Sequence, residues 1–159
     1  MLDLVYENQT SDLYWSEDFF VKVFSHALEH INLNKPDPQG RGLAKGGKVE
    51  LGLHLVTPER SQELNLKYRQ KDKPTDVLSF PLNEHGLENY GILPVGDIFI
   101  CLDVARRQAE EINIPLDQEL ARLSVHGLLH LLGYDHELSP EDEKKMIDLQ
   151  EDIVLSLDL

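Results

Sequence analysis

The chain has a single cysteine among its 159 residues, and Cys101 alone closes no intramolecular disulfide. The stability must come from a packed core, and the thiol, set in an apolar run, fits a reducing compartment. No apolar stretch reaches the ~20 residues of a membrane-spanning helix, and residues 1–6 lack the basic flank and apolar segment of a secretion signal. These absences set the expectation of a cytoplasmic protein with no membrane partner. Positive charge is scarce as well: 15 lysines and arginines stand against 29 acids, a formal net charge of −14. A mean field of that sign repels phosphates, so any polyanion has to be bound locally, and DNA is not an expected partner.

What charge there is lies unevenly. Residues 137–159 hold eight acids against Lys144 and Lys145. By contrast, Lys67, Arg69, Lys71 and Lys73 surround Asp72 in a positive patch that offers a polyanion a foothold. Arg41, Lys45 and Lys48 form a second patch in a glycine-rich stretch, which reads as a solvated loop.

At this length, with 41% hydrophobic residues, one domain over residues 1–159 suffices. Weak alternation over residues 2–6 predicts a strand, and Ser16 opens a helical pattern with Phe19, Phe20, Val23, Phe24, Ala27, Leu28 and Ile31 on its apolar side. Residues 34–47, with Pro36, Pro38 and four glycines, read as a loop. Val49, Leu51, Leu53 and Leu55 alternate as a strand, and Thr57-Pro58 starts a helix running to about Arg69. A turn around Pro74 leads to a strand over 77–80, and a second apolar run over 96–102 is expected to pair with it antiparallel. Asp103 is a cap for a helix through Ile112, Pro115 begins a longer helix, and Ser139-Pro140 begins the last. Four strands and about five helices imply an α+β fold with a mixed sheet.

The chemistry concentrates in residues 126–136, H-G-L-L-H-L-L-G-Y-D-H. Residues four apart share a helix face, so His126 and His130 point at one place, and Gly133 ends the helix so that the chain swings His136 back. Three imidazoles leave a fourth tetrahedral position open to water, the pattern of a catalytic rather than a structural zinc. Other divalent metals also suit imidazole, with one zinc ion favoured by abundance and geometry. His26, His30, His54 and His85 lack such spacing and read as surface or packing residues. The H-x-x-x-H-x-x-G-x-x-H frame is that of metzincin proteases, which carry Glu after the first His as general base. Gly127 stands there instead.

Two stretches together, Lys71-Asp72-Lys73-Pro74-Thr75-Asp76-Val77-Leu78-Ser79-Phe80-Pro81 and the histidine segment ending Gly133-Tyr134-Asp135-His136, resemble the YbeY family of bacterial endoribonucleases, the rRNA maturation factors. Gly96-Asp97-Ile98 before an apolar run is similar too. The resemblance implies a zinc-dependent, single-strand-specific endoribonuclease acting on the small-subunit (16S) ribosomal RNA precursor, notably its 3′ end, and in ribosome quality control. Its partners would then be single-stranded RNA and the small ribosomal subunit. By position it implies His126, His130 and His136 as metal ligands and Arg69 as the catalytic arginine, a guanidinium suited to gripping phosphate bidentately. The general base stays open among Asp135, Asp97 and Asp76, each of which has a structural use as well. Two other readings stand beside the nuclease: a metal-dependent peptidase-like hydrolase, opposed by Gly127, and a ribosome-assembly factor with a mainly structural metal, opposed by the open coordination position. Oligomeric state and cleavage position are not readable from the sequence.

Overall fold

The computed structural model describes residues 1–33, 37–38, 40–43, 46–82, 86–134 and 139–159. Four strands form one mixed sheet in the order β1-β2-β4-β3: β1 is Leu2–Asn8, β2 Lys48–Val56, β3 Val77–Pro81 and β4 Ile92–Cys101. Strands β1, β2 and β4 run parallel, and β3 pairs antiparallel with β4 as an edge strand. Five α-helices complete the fold among the described residues: α1 Glu17–His30, α2 Pro58–Arg69, α3 Leu102–Glu111, α4 Leu116–Leu131 and α5 Pro140–Leu155. None is long and apolar enough to cross a membrane.

Helix α4 lies on one face of the sheet with α1 and α5 beside it, and the main core fills the space between. Phe20 and Phe24 from α1, Leu53, Leu55, Ile98 and Ile100 from the strands, and Leu128 and Leu129 from α4 are wholly buried. Each such side chain contributes about 1.5–3 kcal/mol on leaving water. The approach of α4 to the sheet is close at Gly127, where a Cβ would lie 3.0 Å from Ile98. Since strand side chains alternate, Ile98 facing α4 puts Asp97 and Phe99 on the opposite face, beside His54 and Glu7.

The starts of β4 and α3 differ from the sequence reading, as do the end of β1 at Asn8 and the place of Pro115, which caps α4. Strand β4 starts at Ile92, not residue 96, and absorbs Pro94 and Gly96 through a bulge: Glu50 pairs with Pro94, but Leu51 pairs with Gly96. Gly96 has φ +127°, and a Cβ there would sit 2.2 Å from the Phe80 carbonyl oxygen, so glycine is required on both counts. At its other end β4 runs straight into α3. Leu102 is the first helical residue, and Asp103 lies in the first turn rather than at the cap, which is Cys101. The strand continues that far because Val56 still pairs with Cys101.

Candidate metal centre and phosphate cleft

A cleft of about 790 Å³ opens between edge strand β3, the C-terminal end of α2, and helices α4 and α5. His126 and His130 line it from α4, Arg69 and Tyr68 from α2, Asp76 and Ser79 from the β3 side, and Gln150 from α5. The helix ends as its sequence requires. The Tyr134 N–H donates to the Leu129 carbonyl, the Gly133 N–H donates to that of His130, and Gly133 takes φ +93°. This is a Schellman turn, which redirects the chain just past the second histidine.

The two imidazoles converge, with Nε2 of His130 3.1 Å from Nε2 of His126. A tetrahedral ion with bonds of ~2.0–2.1 Å holds two nitrogens ~3.3 Å apart, so the pair fits a shared ion. The hydrogen-bonding around His126 fits too. Its Nδ1 lies 2.7 Å from Oε1 of Gln150, whose Nε2 in turn donates to Glu151. With a carbonyl oxygen accepting at Nδ1, the ring carries its proton there and turns the Nε2 lone pair into the cleft. Among the described residues no third metal-binding group joins the pair. His136 and Asp135 lie outside the described residues, as do His85 and Lys45.

Arg69, the last residue of α2, is exposed on the cleft wall. Thr57 caps that helix by accepting from the Arg60 N–H, with Pro58 as its first residue, and Gln70 closes it in the left-handed region at φ 58°. The turn beyond is pinned to α2 from beneath. Buried Asn65 donates to the Lys73 carbonyl, and Ser61 both donates to the Thr75 carbonyl and accepts from the Thr75 N–H. The 71–75 segment is therefore held in one shape against the helix that presents Arg69.

A family model described as endoribonuclease YbeY matches residues 5–158. The chain belongs to the endoribonuclease YbeY family. An endoribonuclease YbeY of Acinetobacter baumannii (strain ATCC 17978) is 46% identical over 160 residues, 99% of this chain and 94% of that protein. The one from Sulfurihydrogenibium sp. (strain YO3AOP1) is 44% identical over 138 residues, covering 87% and 81%. Among solved structures, that of TM1509 from Thermotoga maritima superposes with a TM-score of 0.61 at 27% identity, over 96% of this chain and 87% of the other. Membership of the YbeY family makes the chain a nuclease acting on RNA.

Of the other residues weighed from sequence, Asp97 lies on the far face of the sheet, 2.9 Å from His54, and does not line the cleft. Asp76 does line it, but its Oδ1 accepts from the Val77 N–H and the Thr75 hydroxyl, which fixes the entry to β3. The reading of Arg41 as part of a solvated loop is overturned. Arg41 is 0% exposed and pairs with Asp37 at 3.1 Å, while NH1 donates to the Leu82 carbonyl and NH2 to that of Leu131. It ties the end of α4 to the exit of β3, a favourable place for a cation because the last helical carbonyls lack partners. Lys48, from the same patch, lies on β2 between Asp3 and Glu50.

Sequence reasoning missed Gln150, Glu119 and Arg122. An amide among the apolar positions of α5 was the available signal for Gln150, which is 7% exposed. Glu119 lies 4% exposed on the cleft face of α4, one turn before Arg122, which pairs with it at 3.2 Å and with Glu151 at 3.3 Å. Burial pushes the Glu119 carboxyl above the usual range; Arg122 opposes that shift and Asp76 reinforces it.

Proposed function

We propose that this protein is a zinc-dependent endoribonuclease that cuts unpaired RNA during maturation of the small-subunit ribosomal RNA, notably at its 3′ end, and in ribosome quality control. The observation that carries it is the convergence of two imidazole nitrogens in the same cleft as Arg69. His126 and His130, with His136 of the same motif, would hold one zinc ion. When bound, such an ion supplies Lewis acidity toward a phosphoryl oxygen and acidifies water.

The chain's own residues do the rest. The Arg69 guanidinium donates to non-bridging phosphate oxygens and offsets the charge that grows on them as the backbone is cut. Gln150 holds the His126 ring in one tautomer and one orientation. Of the two arginines lining the cleft, Arg122 is paired with Glu119 and Glu151, which leaves Arg69 as the place where a backbone can settle. A strand already paired keeps its phosphates in rigid A-form geometry, whereas an unpaired one can bend into the cleft. The peptidase reading is disfavoured by the packing at Gly127: a side chain there meets Ile98 and not the cleft.

The test is zinc analysis of the protein coupled to cleavage of a ribosomal-RNA precursor and of casein, each with and without chelator. Cutting of the RNA alone, abolished by chelator and restored by zinc, is the expected result. Casein cleavage would select the peptidase, and no cleavage of either with tightly held zinc would select a structural metal. A second expectation concerns Gln150. Gln150→Leu should weaken zinc binding by about 10- to 100-fold, as follows the loss of a hydrogen-bond partner behind a ligand, while Gln150→Glu retains it. Titration calorimetry reads this directly; unchanged affinity in Gln150→Leu removes Gln150 from the metal centre.

A further inference from the structure

Among the described residues, most of the cations outside ion pairs are gathered in one place, with Lys22, Arg107 and Lys145 apart from it. Lys48, Arg41, Arg60, Arg106, Arg122 and Lys144 all sit against carboxylates. Lys67, Arg69, Lys71 and Lys73 are exposed, and among the described residues none of the four is in an ion pair. The one acid among them, Asp72, accepts from the Gln62 amide at 2.8 Å. In a chain of net charge −14, such a cluster on a turn pinned by Ser61 and Asn65 is a preformed anion site.

Within it stands a large ring with little cover. Tyr68 is 52% exposed on the cleft wall, next to Arg69. Phe80 supports it from β3 with ring centroids 4.9 Å apart at 64°, an edge-to-face contact that fixes the ring. The Lys67 ammonium lies over the ring, 5.1 Å from its centroid, so a stacking base takes the other face or displaces it. Phosphate-binding cations flanking a fixed, exposed aromatic are what proteins use to hold single-stranded nucleic acid, because every base has a face that stacks.

We infer that Tyr68 is a stacking platform for one unpaired nucleobase of the substrate, held while Arg69 and Lys71 engage the phosphates on either side. The inference rests on the reading of the cleft as an RNA-cutting site and adds a reason for selecting unpaired strands: a base inside a duplex has no free face to offer Tyr68.

The experiment uses full-length protein with chelator present, so that binding is separated from cleavage, and a fluorescent single-stranded RNA of about twelve nucleotides, within the span of one small binding domain. Tyr68→Ala should weaken binding by about 5- to 100-fold, the range for loss of one stacked base, while Tyr68→Phe and Tyr68→Trp stay within about twofold of the wild type. Scanning a single abasic nucleotide along the RNA should find one position that weakens the wild type to the same degree and costs Tyr68→Ala nothing further. Unchanged affinity in Tyr68→Ala, an equal loss in Tyr68→Phe, or the absence of such a position overturns the stacking role. So does an equal loss for polyglutamate, which would make Tyr68 a general support for the cations. Failure of the nuclease reading looks different: the zinc-loaded wild type then leaves the RNA intact whatever stands at position 68.

Discussion

His126→Ala is expected to lose zinc and RNA cleavage together, whereas Arg69→Ala keeps its zinc and loses cleavage alone. The split follows from where the two side chains sit. His126 supplies one of the two nitrogens 3.1 Å apart, so its removal should weaken the metal by more than the roughly 10- to 100-fold that follows loss of a ligand's hydrogen-bond partner. Arg69 lines the same cleft from another helix, α2, and is in no hydrogen bond with either described histidine. On the proposed mechanism its loss leaves the growing phosphate charge to the metal alone, and the expected cost is about 10²- to 10³-fold in kcat. Arg69→Lys should recover only part of it, since an ammonium offers no planar fork. The measurement is zinc content and single-turnover cleavage on the same preparations. Full cleavage by zinc-replete Arg69→Ala would remove the arginine from the mechanism.

Arg41→Met is expected to cost about 3–5 kcal/mol of folding stability, because it removes one member of a buried ion pair together with the bonds to the Leu82 and Leu131 carbonyls. For a chain of this size that corresponds to a fall in Tm of roughly 10 °C. Asp37→Asn together with Arg41→Met should recover part of the loss, since breaking a buried pair from one side costs more than replacing both members. Urea unfolding of the single and double variants reads both. A single variant as stable as the wild type would show that the pair contributes no net stability.

Legibility in the sequence tracks the distance over which each contact is made. The turn at Gly133, the Thr57-Pro58 start of α2 and the Ser139-Pro140 start of α5 are visible because a helix end is settled by residues within a few positions of one another. The histidine pair is visible for the same reason: four residues make one turn. Arg41 was misjudged because its partner carbonyl, on Leu131, lies 90 positions away, and a glycine-rich neighbourhood gives no hint of burial. Gln150 reaches His126 across 24 positions and a helix–helix contact. The beginning of β4 is hard to see in the sequence because strand interiors disfavour Pro94 and Gly96, which the bulge opposite β2 and the tight approach of the Phe80 carbonyl explain. Nothing in its sequence neighbourhood marks Tyr68, since only the fold brings Phe80 against it.

The two clamps on the histidine helix also differ in when they become available. A polypeptide is made from its amino end, so Asp37 and Arg41 exist before α4 emerges, but Gln150 belongs to α5, which follows it. Until α5 is synthesised and docked, Met146, Ile153 and Val154 are missing from the interior and the Gln150 amide is not there to orient His126. A nascent chain therefore carries both histidines of α4 before the side chain that sets one of them in place.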